Sequence, residues 1–219
     1  AFSVFGIDIM WYAVLISLGM LLALFLAEKD AKRKGFDPDE ITNMLVLCIL
    51  FGIVGARLYY VAFEWDYYSQ HLNQILNFRQ GGLAIYGGII SGLIVGLIYC
   101  KVKKLNPLEA CDIAMPGVAL AQAIGRWGNF INQEAYGYET DLPWAVLIDG
   151  KKYHPTFLYE SIGDFIIFLF LYYYARNHQK YHGQIFALYM VLYGVLRFFV
   201  EGLRLDSLYF MGFRISQIV

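Results

Sequence analysis

Long apolar stretches alternate with short polar loops along the 219-residue chain. Five stretches run from about residue 10 to 27, 42 to 63, 83 to 101, 156 to 175 and 184 to 199. Another opens at Asn106-Pro107 and ends in a polar run at 125–134. An α-helix rises ~1.5 Å per residue, and the core of a bilayer is ~30 Å thick. The pattern therefore predicts an all-α polytopic membrane protein with six complete transmembrane helices in a single integral membrane domain, 1–219.

Basic residues lie in alternate loops between these stretches. They cluster at 29–34, at 101–104 and at 176–182. Cytoplasmic loops of membrane proteins carry an excess of Lys and Arg. We therefore expect these three loops in the cytoplasm and the N-terminus outside it.

The segment between the fourth and fifth predicted helices, about 135–155, is too polar to cross a membrane. The topology predicts that it forms a small extracytoplasmic head. Short alternation at 144–148, followed by Asp149-Gly150, predicts a β-hairpin in this head, because Asp-Gly suits a two-residue turn.

Local signals refine the predicted helices. Asp37-Pro38 is a typical helix start, with Asp as the cap and Pro at the first helical position. Gly88, Gly92 and Gly96 recur every four residues, a spacing that favours close helix packing. Arg57 lies near the outer end of the second helix, where its side chain is expected to extend to the lipid headgroups.

The composition excludes a soluble domain. Hydrophobic residues make up 59% of the chain and charged residues 16%, with a mean hydropathy of +0.50, whereas soluble domains carry about 25% charged residues. A net charge of −1 gives no indication of a nucleic-acid partner. Cys48, Cys100 and Cys111 lack metal-ligand or disulfide spacing and are interpreted as small packing residues. No metal site is predicted, since no histidine has a suitable partner.

The polar run Gly125–Glu134 carries the strongest candidate chemistry. It places an arginine, asparagines and a carboxylate at the end of an apolar segment. Arg offers a planar fork that matches phosphate oxygens, and Asn both donates and accepts. An ionisable cluster at a membrane segment suggests a functional site. The alternative is a helix end whose Arg126 extends to the headgroups.

A second cluster lies in the sixth predicted helix. Tyr193, Arg197 and Glu201 are spaced four residues apart, so they share one helix face. From this spacing alone, Arg197 and Glu201 are expected to form an ion pair that neutralises itself. Asp164, inside the fifth helix, is expected to pair with another helix and is given no chemical role.

Three motifs resemble those of one bacterial family. The run GRWGNFINQE at 125–134 is similar to the signature of the prolipoprotein diacylglyceryl transferases, which reads Gly-Arg-x-Gly-Asn-Phe-x-Asn before an acidic residue. The run GGLAIYGG at 81–88 and the spacing Tyr193-x3-Arg197-x3-Glu201 match further motifs in the same order. The resemblance also implies a seventh helix, of which residues 215–219 would be the start.

The resemblance implies a transferase in the bacterial cytoplasmic membrane. It would move the diacylglyceryl group of phosphatidylglycerol to the thiol of the lipobox cysteine in a preprolipoprotein, releasing glycerol phosphate. No metal or organic cofactor is implied, because phosphate activation falls to arginines. The implied catalytic residues are Arg126, Arg197, Tyr86 and Glu134. On this resemblance, Arg197 is a second phosphate-binding arginine that converges with Arg126 on one lipid headgroup, and Glu134 is expected to hold Arg126 or to contact substrate. The implied substrate-binding residues are Asn129, Tyr193, Glu201, Tyr12, Asp112 and Gly137.

One position departs from the family pattern. Tyr86 stands where the best-known branch of the family has a histidine that is often proposed as a base. A phenol, with a pKa of about 10, is a poor base at neutral pH.

Two alternative functions belong to other classes of protein. One is a transporter or flippase with intramembrane Arg and Glu residues, which would show internal repeats. The other is a metal-dependent lipid headgroup enzyme, which would need clustered aspartates.

Overall fold

We describe a computed structural model of the chain. It describes residues 10–77 and 81–205 with their side chains, and four short strands near the termini by their backbone alone. The predicted start of a seventh helix at 215–219 lies outside the described residues.

Seven α-helices and six short strands make up the described part of the chain. The helices are α1 (Trp11–Lys34), α2 (Pro38–Phe63), α3 (Trp65–Tyr68), α4 (Ile85–Lys103), α5 (Pro107–Ile131), α6 (Thr156–Leu169) and α7 (Gln184–Leu203). The strands are β1 (Phe2–Val4), β2 (Ile7–Ile9), β3 (Val146–Ile148), β4 (Lys151–Tyr153), β5 (Tyr209–Phe210) and β6 (Phe213–Arg214), paired in sequence order as antiparallel hairpins.

Among the described residues, five helical segments are long and apolar enough to cross a membrane: α1, α2, α4, α7 and the segment Thr156–Asn177 that extends α6. The polytopic helical architecture is thereby confirmed. The sixth predicted span corresponds to α5, which has 25 residues but carries too many polar groups to join that set. The count of six complete spans therefore stays a prediction.

The chain divides into two compact units, residues 1–27 with 111–219 and residues 28–110. In the unit of residues 28–110, the side chain of Asp37 accepts a hydrogen bond from the backbone of Asp39, which confirms the predicted start of α2. The glycine spacing is also explained, because an added Cβ at Gly88 would lie 3.4 Å from the Gly52 carbonyl oxygen. The backbones of α2 and α4 thus lie close together.

Arg57 belongs to the same unit, and the expectation that it reaches the headgroups is wrong. It is 3% exposed. Its guanidinium donates to the carbonyl oxygens of Gln74, Ile75, Gly81 and Gly82 at 2.7–3.0 Å. A polar loop that folds back over the helix end supplies acceptors inside the protein, so the side chain has no need of the lipid surface.

The other unit is built around the extended α6 and α7. Leu171 and Ile185 are fully buried at its centre, and Ala119 of α5 packs with them. Asp112 joins α5 to the start of α7, because its carboxylate accepts hydrogen bonds from the backbone N–H groups of Gly183 at 2.6 Å and Phe186 at 2.9 Å. A carboxylate at a helix N-terminus satisfies free donors and complements the helix dipole.

The segment between α5 and α6 contains the predicted hairpin. β3 and β4 pair antiparallel, with Ile148 opposite Lys151. Asp149 and Gly150 both have positive φ, at 49° and 81°, as a two-residue turn of this kind requires. Lys151 forms an ion pair with Glu139, and this hydrogen bond raises the pKa of Lys151. Both side chains are largely exposed, so the pair contributes little to stability.

Candidate active site

Two arginines from different helices meet on one buried carboxylate. Arg126, in the last two turns of α5, donates from Nη2 to Oε1 of Glu160, in the first turns of α6. Arg197 of α7 donates from Nη1 to Oε1 and Oε2 of Glu160 at 3.2 and 3.1 Å. The Glu160 side chain is 2% exposed. We call Arg126, Glu160 and Arg197 the arginine cluster.

A second carboxylate supports Arg197. Its Nη2 lies 2.7 Å from Oε2 of Glu201, one helical turn further along α7. The Glu201 side chain is 2% exposed, whereas the two arginine side chains remain about one-fifth exposed, at 21% and 19%. The carboxylates are therefore enclosed by the protein, while the side chains of both arginines remain partly exposed. This arrangement presents N–H donors and positive charge to an anion.

The helix that carries Arg126 is held on both sides of that residue. Trp127 Nε1 donates to the Ser161 hydroxyl at 3.2 Å, and Ser161 in turn donates to the Ala123 carbonyl oxygen at 2.8 Å. On another side, the ring of Tyr12 fills the space beside Gly128, where an added Cβ would overlap the ring. Glycine at this position therefore lets α1 and the signature come close together.

Side chains at the end of the signature run 125–134 hydrogen-bond to one another. Glu134 accepts hydrogen bonds at Oε1 from Nδ2 of Asn129 at 2.9 Å and from Nδ2 of Asn132 at 3.3 Å. The sequence suggested Glu134 as the residue that holds Arg126 or contacts substrate. Glu160 is the carboxylate that holds Arg126 in the structure, and Glu134 remains exposed at the helix end, where a substrate can reach it.

Gly137 lies where the segment between α5 and α6 is joined to the end of α7 by backbone hydrogen bonds. Its N–H donates to the His154 carbonyl oxygen at 2.9 Å, and the next N–H, from Tyr138, donates to Leu203 at 3.0 Å. An added Cβ at Gly137 would lie 2.6 Å from the Leu203 carbonyl oxygen. Only glycine permits this approach without displacing backbone.

The remaining candidates of this unit occupy different places. Tyr193 lies one turn before Arg197 and is half-buried, with its ring stacked on Tyr189 at a centroid distance of 5.7 Å. Asp112 is 14 residues before Arg126 on α5, or about 21 Å along the helix. Of the predicted site residues, the arginine cluster therefore includes Arg126 and Arg197, and Glu201 contacts Arg197. Tyr193 and Asn129 lie within a helical turn of the cluster, and Asp112 lies away from it.

Tyr86 belongs to the unit of residues 28–110. It lies in the first turn of α4 and is 43% exposed. The helix begins where it does because Arg57 binds the carbonyl oxygens of Gly81 and Gly82, and the Ala84 N–H donates to the Ala56 carbonyl oxygen at 3.0 Å. Gly81 and Gly82 both have positive φ, which explains the glycines of this motif.

Sequence reasoning missed Glu160 and misjudged the surroundings of Arg57 and Asp164. Glu160 sits at the predicted outer end of a span, and an acidic residue at such a place is a usable signal. Asp164, one turn further into α6, is fully buried, and neither of its carboxylate oxygens has a hydrogen-bond partner among the described residues. The expected partner from another helix is therefore not bonded to it.

No group of three or more His, Cys, Asp or Glu side chains suited to a metal ion occurs in the part of the chain that the structure describes. The chemistry that this geometry offers is anion binding by two guanidinium groups at a membrane helix bundle. These features define a multi-pass helical membrane protein in which two arginines share one buried carboxylate.

The comparisons with known proteins specify the class further. The prolipoprotein diacylglyceryl transferase family matches residues 1–219. The chain is 59% identical to the phosphatidylglycerol–prolipoprotein diacylglyceryl transferase of Finegoldia magna, over 100% of this chain and 88% of that protein. It is 52% identical to the protein of the same name from Clostridioides difficile, with the same coverage, and 49% identical to that of Streptococcus uberis, over 95% and 84%.

The chain belongs to the prolipoprotein diacylglyceryl transferase family. It is a diacylglyceryl transferase, a membrane enzyme of lipoprotein biosynthesis.

Proposed function

We propose that the enzyme transfers the diacylglyceryl group of phosphatidylglycerol to the lipobox cysteine thiol of a preprolipoprotein. The observation that carries this proposal is the pair of partly exposed arginine side chains that share the buried carboxylate of Glu160. A phosphodiester is the anion that phosphatidylglycerol brings to such a site. The names of the relatives point to the same two substrates.

The reaction forms one carbon–sulfur bond and breaks one carbon–oxygen bond. The thiolate of the cysteine attacks the terminal glyceryl carbon of the diacylglyceryl group, and the bond from that carbon to the phosphate oxygen breaks. The electron pair of that bond stays with the oxygen, so glycerol phosphate leaves with one more negative charge. The proton of the thiol passes to a base or to water.

Arg126 and Arg197 stabilise the charge that develops on the leaving phosphate. Donors fixed in place before the reaction are effective because they need no reorganisation as the charge appears. Glu160 fixes both guanidiniums from behind, and Glu201 adds a second fixed contact to Arg197. Burial in a low dielectric strengthens each of these interactions.

The same positive field favours the thiolate form of the acceptor. A free thiol has a pKa of about 8.5 and reacts as the thiolate, so a nearby cation increases the reactive fraction. Tyr86 contributes a phenol that hydrogen-bonds to substrate or relays the proton. Glu134 and Asn129, at the exposed end of the signature, and Tyr193 and Tyr12 contribute contacts to the substrates.

The site faces the extracytoplasmic side of a bacterial cytoplasmic membrane in this proposal. The basic loops at 29–34, 101–104 and 176–182 lie in the cytoplasm, and the segment at about 135–155 lies outside with the arginine cluster near it. Transport or lipid flipping is not favoured, because the relatives from Finegoldia magna, Clostridioides difficile and Streptococcus uberis all bear the name of a transferase.

Purified protein in vesicles tests the proposal directly. The vesicles contain phosphatidylglycerol with a labelled glyceryl backbone, and the acceptor is a lipobox peptide with one cysteine. We expect mass spectrometry to show a diacylglyceryl adduct on the cysteine sulfur, together with released glycerol phosphate. The matched control replaces the lipobox cysteine of the peptide with serine. Loss of lipid label without any peptide adduct would contradict the proposal.

A further inference from the structure

A cavity of about 490 Å³ opens beside the arginine cluster. Asn129 and Phe157 contribute to its wall, and they lie three residues after Arg126 and three residues before Glu160. Residues three apart share a helix face. The cavity therefore begins about one helical turn from the arginines. Its walls combine the signature end, including Phe130, Ile131 and Glu134, with residues 145–148 of the hairpin.

The strand β3 contributes Val146, Leu147 and Ile148 to the wall of this cavity. The Thr140 N–H donates to the Lys152 carbonyl oxygen at 3.0 Å, so this carbonyl group points away from β3. Leu147 and Lys152 are therefore a non-hydrogen-bonded pair of the hairpin. The N–H and C=O groups of Leu147 consequently point away from β4, and neither has a hydrogen-bond partner among the described residues. The Leu147 side chain is 68% exposed.

We propose that this cavity binds the acceptor polypeptide as an extended strand that hydrogen-bonds to the N–H and C=O groups of Leu147. The proposal rests on the proposed function and adds a subsite to it. An unpaired strand edge is the surface to which an extended peptide adds a further strand. Acyl chains have no donor or acceptor to offer these groups, whereas every peptide unit has both.

The distance from the arginine cluster identifies the segment that binds. Three helical residues cover about 4.5 Å along the axis, and an extended strand advances about 3.3 Å per residue. A polypeptide whose cysteine lies at Arg126 thus reaches the near end of the cavity within about one to two residues. In the proposed topology the cavity is extracytoplasmic, and the chain that emerges there is the segment after the cysteine. The residues directly C-terminal to the acceptor cysteine are the occupant.

Backbone N-methylation of the substrate tests this subsite with the native enzyme. Five lipobox peptides are compared. The first carries six residues after the cysteine, and three variants of it are N-methylated at the first, second or third of these residues. The fifth peptide ends at the cysteine as an amide. We expect one N-methyl position to raise KM about ten-fold, as loss of one hydrogen bond implies, and the truncated peptide to show a similar rise with kcat unchanged. Equal KM values for all five peptides would overturn the proposal.

The enzyme side of the contact is tested by Leu147→Pro, with Leu147→Ala as the matched control. Proline removes the Leu147 N–H, which makes no hydrogen bond to β4, and an edge strand tolerates it. We expect the Pro variant to raise KM for the long peptide but not for the truncated peptide, and the Ala variant to retain the N–H and most of the binding. An equal loss with both peptides, or a raised KM for phosphatidylglycerol alone, would overturn the proposal.

The outcomes separate this subsite from the proposed function. If native enzyme modifies the truncated peptide and is insensitive to N-methylation, the transferase proposal holds and the strand-edge proposal fails. If no peptide is modified, the transferase proposal itself fails. Should the Pro variant not fold, the N-methyl series on the native chain decides the question alone.

Discussion

Arg126 and Arg197 donate hydrogen bonds to the same carboxylate, Glu160, although they come from helices α5 and α7 and are separated by 71 positions in the sequence. Two guanidiniums with a shared acceptor are held at a fixed separation. In the proposed reaction, their remaining donors bind one phosphate group.

Replacing either arginine with lysine tests the fork geometry. An ammonium group keeps the charge but cannot form two parallel hydrogen bonds with a carboxylate or phosphate. We expect Arg126→Lys and Arg197→Lys each to lower kcat about 100-fold or more, as the loss of a donor to a developing oxyanion does. The measurement is transfer to a lipobox peptide, normalised to the folded protein in the membrane. Near-native turnover in both variants would contradict the assignment.

Glu160→Gln removes the shared charge while keeping the shape of the side chain. The two arginines then lack their common anion, and leaving a buried ion partner unpaired costs about 3–5 kcal/mol. We expect lower thermal stability and at least ten-fold lower kcat in the fraction that remains folded. Glu139→Gln is the matched control, because its partner Lys151 is largely exposed, and it should retain turnover within about two-fold. A fully active Glu160→Gln enzyme would show that the carboxylate does not position the arginines.

Tyr86 is tested by Tyr86→Phe and Tyr86→His. The phenol has no hydrogen-bond partner among the described residues, so its removal should change stability little. We expect the Phe variant to lose about 100-fold in turnover if the hydroxyl donates to substrate. The His variant should recover part of the loss, since imidazole also donates and accepts. If the Phe variant is as active as the native enzyme, the ring is a packing residue.

Asp112→Asn distinguishes a binding role from a structural one. The carboxylate caps the start of α7 through Gly183 and Phe186, and loss of such a cap costs about 1–2 kcal/mol. We expect a lower Tm with an unchanged KM for phosphatidylglycerol. A raised KM at native stability would instead support the substrate-binding role that the family resemblance implies.

The topology is tested by single cysteines placed at Lys32 and Tyr138 in a background without the three native cysteines. The positive-inside pattern predicts that an impermeant reagent added to intact cells labels position 138 and spares position 32. Labelling in disrupted cells is the control for accessibility at both positions. Modification of position 32 from outside would overturn the proposed orientation.

Local sequence patterns were sufficient to predict the structural features that depend only on neighbouring residues. The cap at Asp37 and the turn at Asp149-Gly150 follow from residue types at neighbouring positions, and both were predicted. The signature and the Tyr193–Glu201 face were also identified, because their residues are close in sequence. The roles of these residues remain proposals.

These local patterns could not predict contacts between residues that are distant in sequence. Glu160 becomes central only when α5, α6 and α7 pack together, 34 and 37 positions from its two partners. Arg57 sits at an apparent helix end, and its burial depends on a loop that returns 17 to 25 residues later. Asp164 was expected to have a partner because a bare buried carboxylate is costly, and the structure shows no hydrogen bond to it from the described residues.

The attachment of α5 at two points restricts how Arg126 can move. Asp112 ties the early part of the helix to the start of α7, and Arg126 ties its late part to Glu160 and thereby to Arg197. The two residues are 14 positions apart, which is about four turns, so both anchors lie on nearly the same side. A helix that is anchored at one point can still rotate about its long axis, whereas a helix that is anchored at two points cannot. The rotational setting of Arg126 is thus determined partly by a contact about 21 Å away, at the opposite end of the same helix.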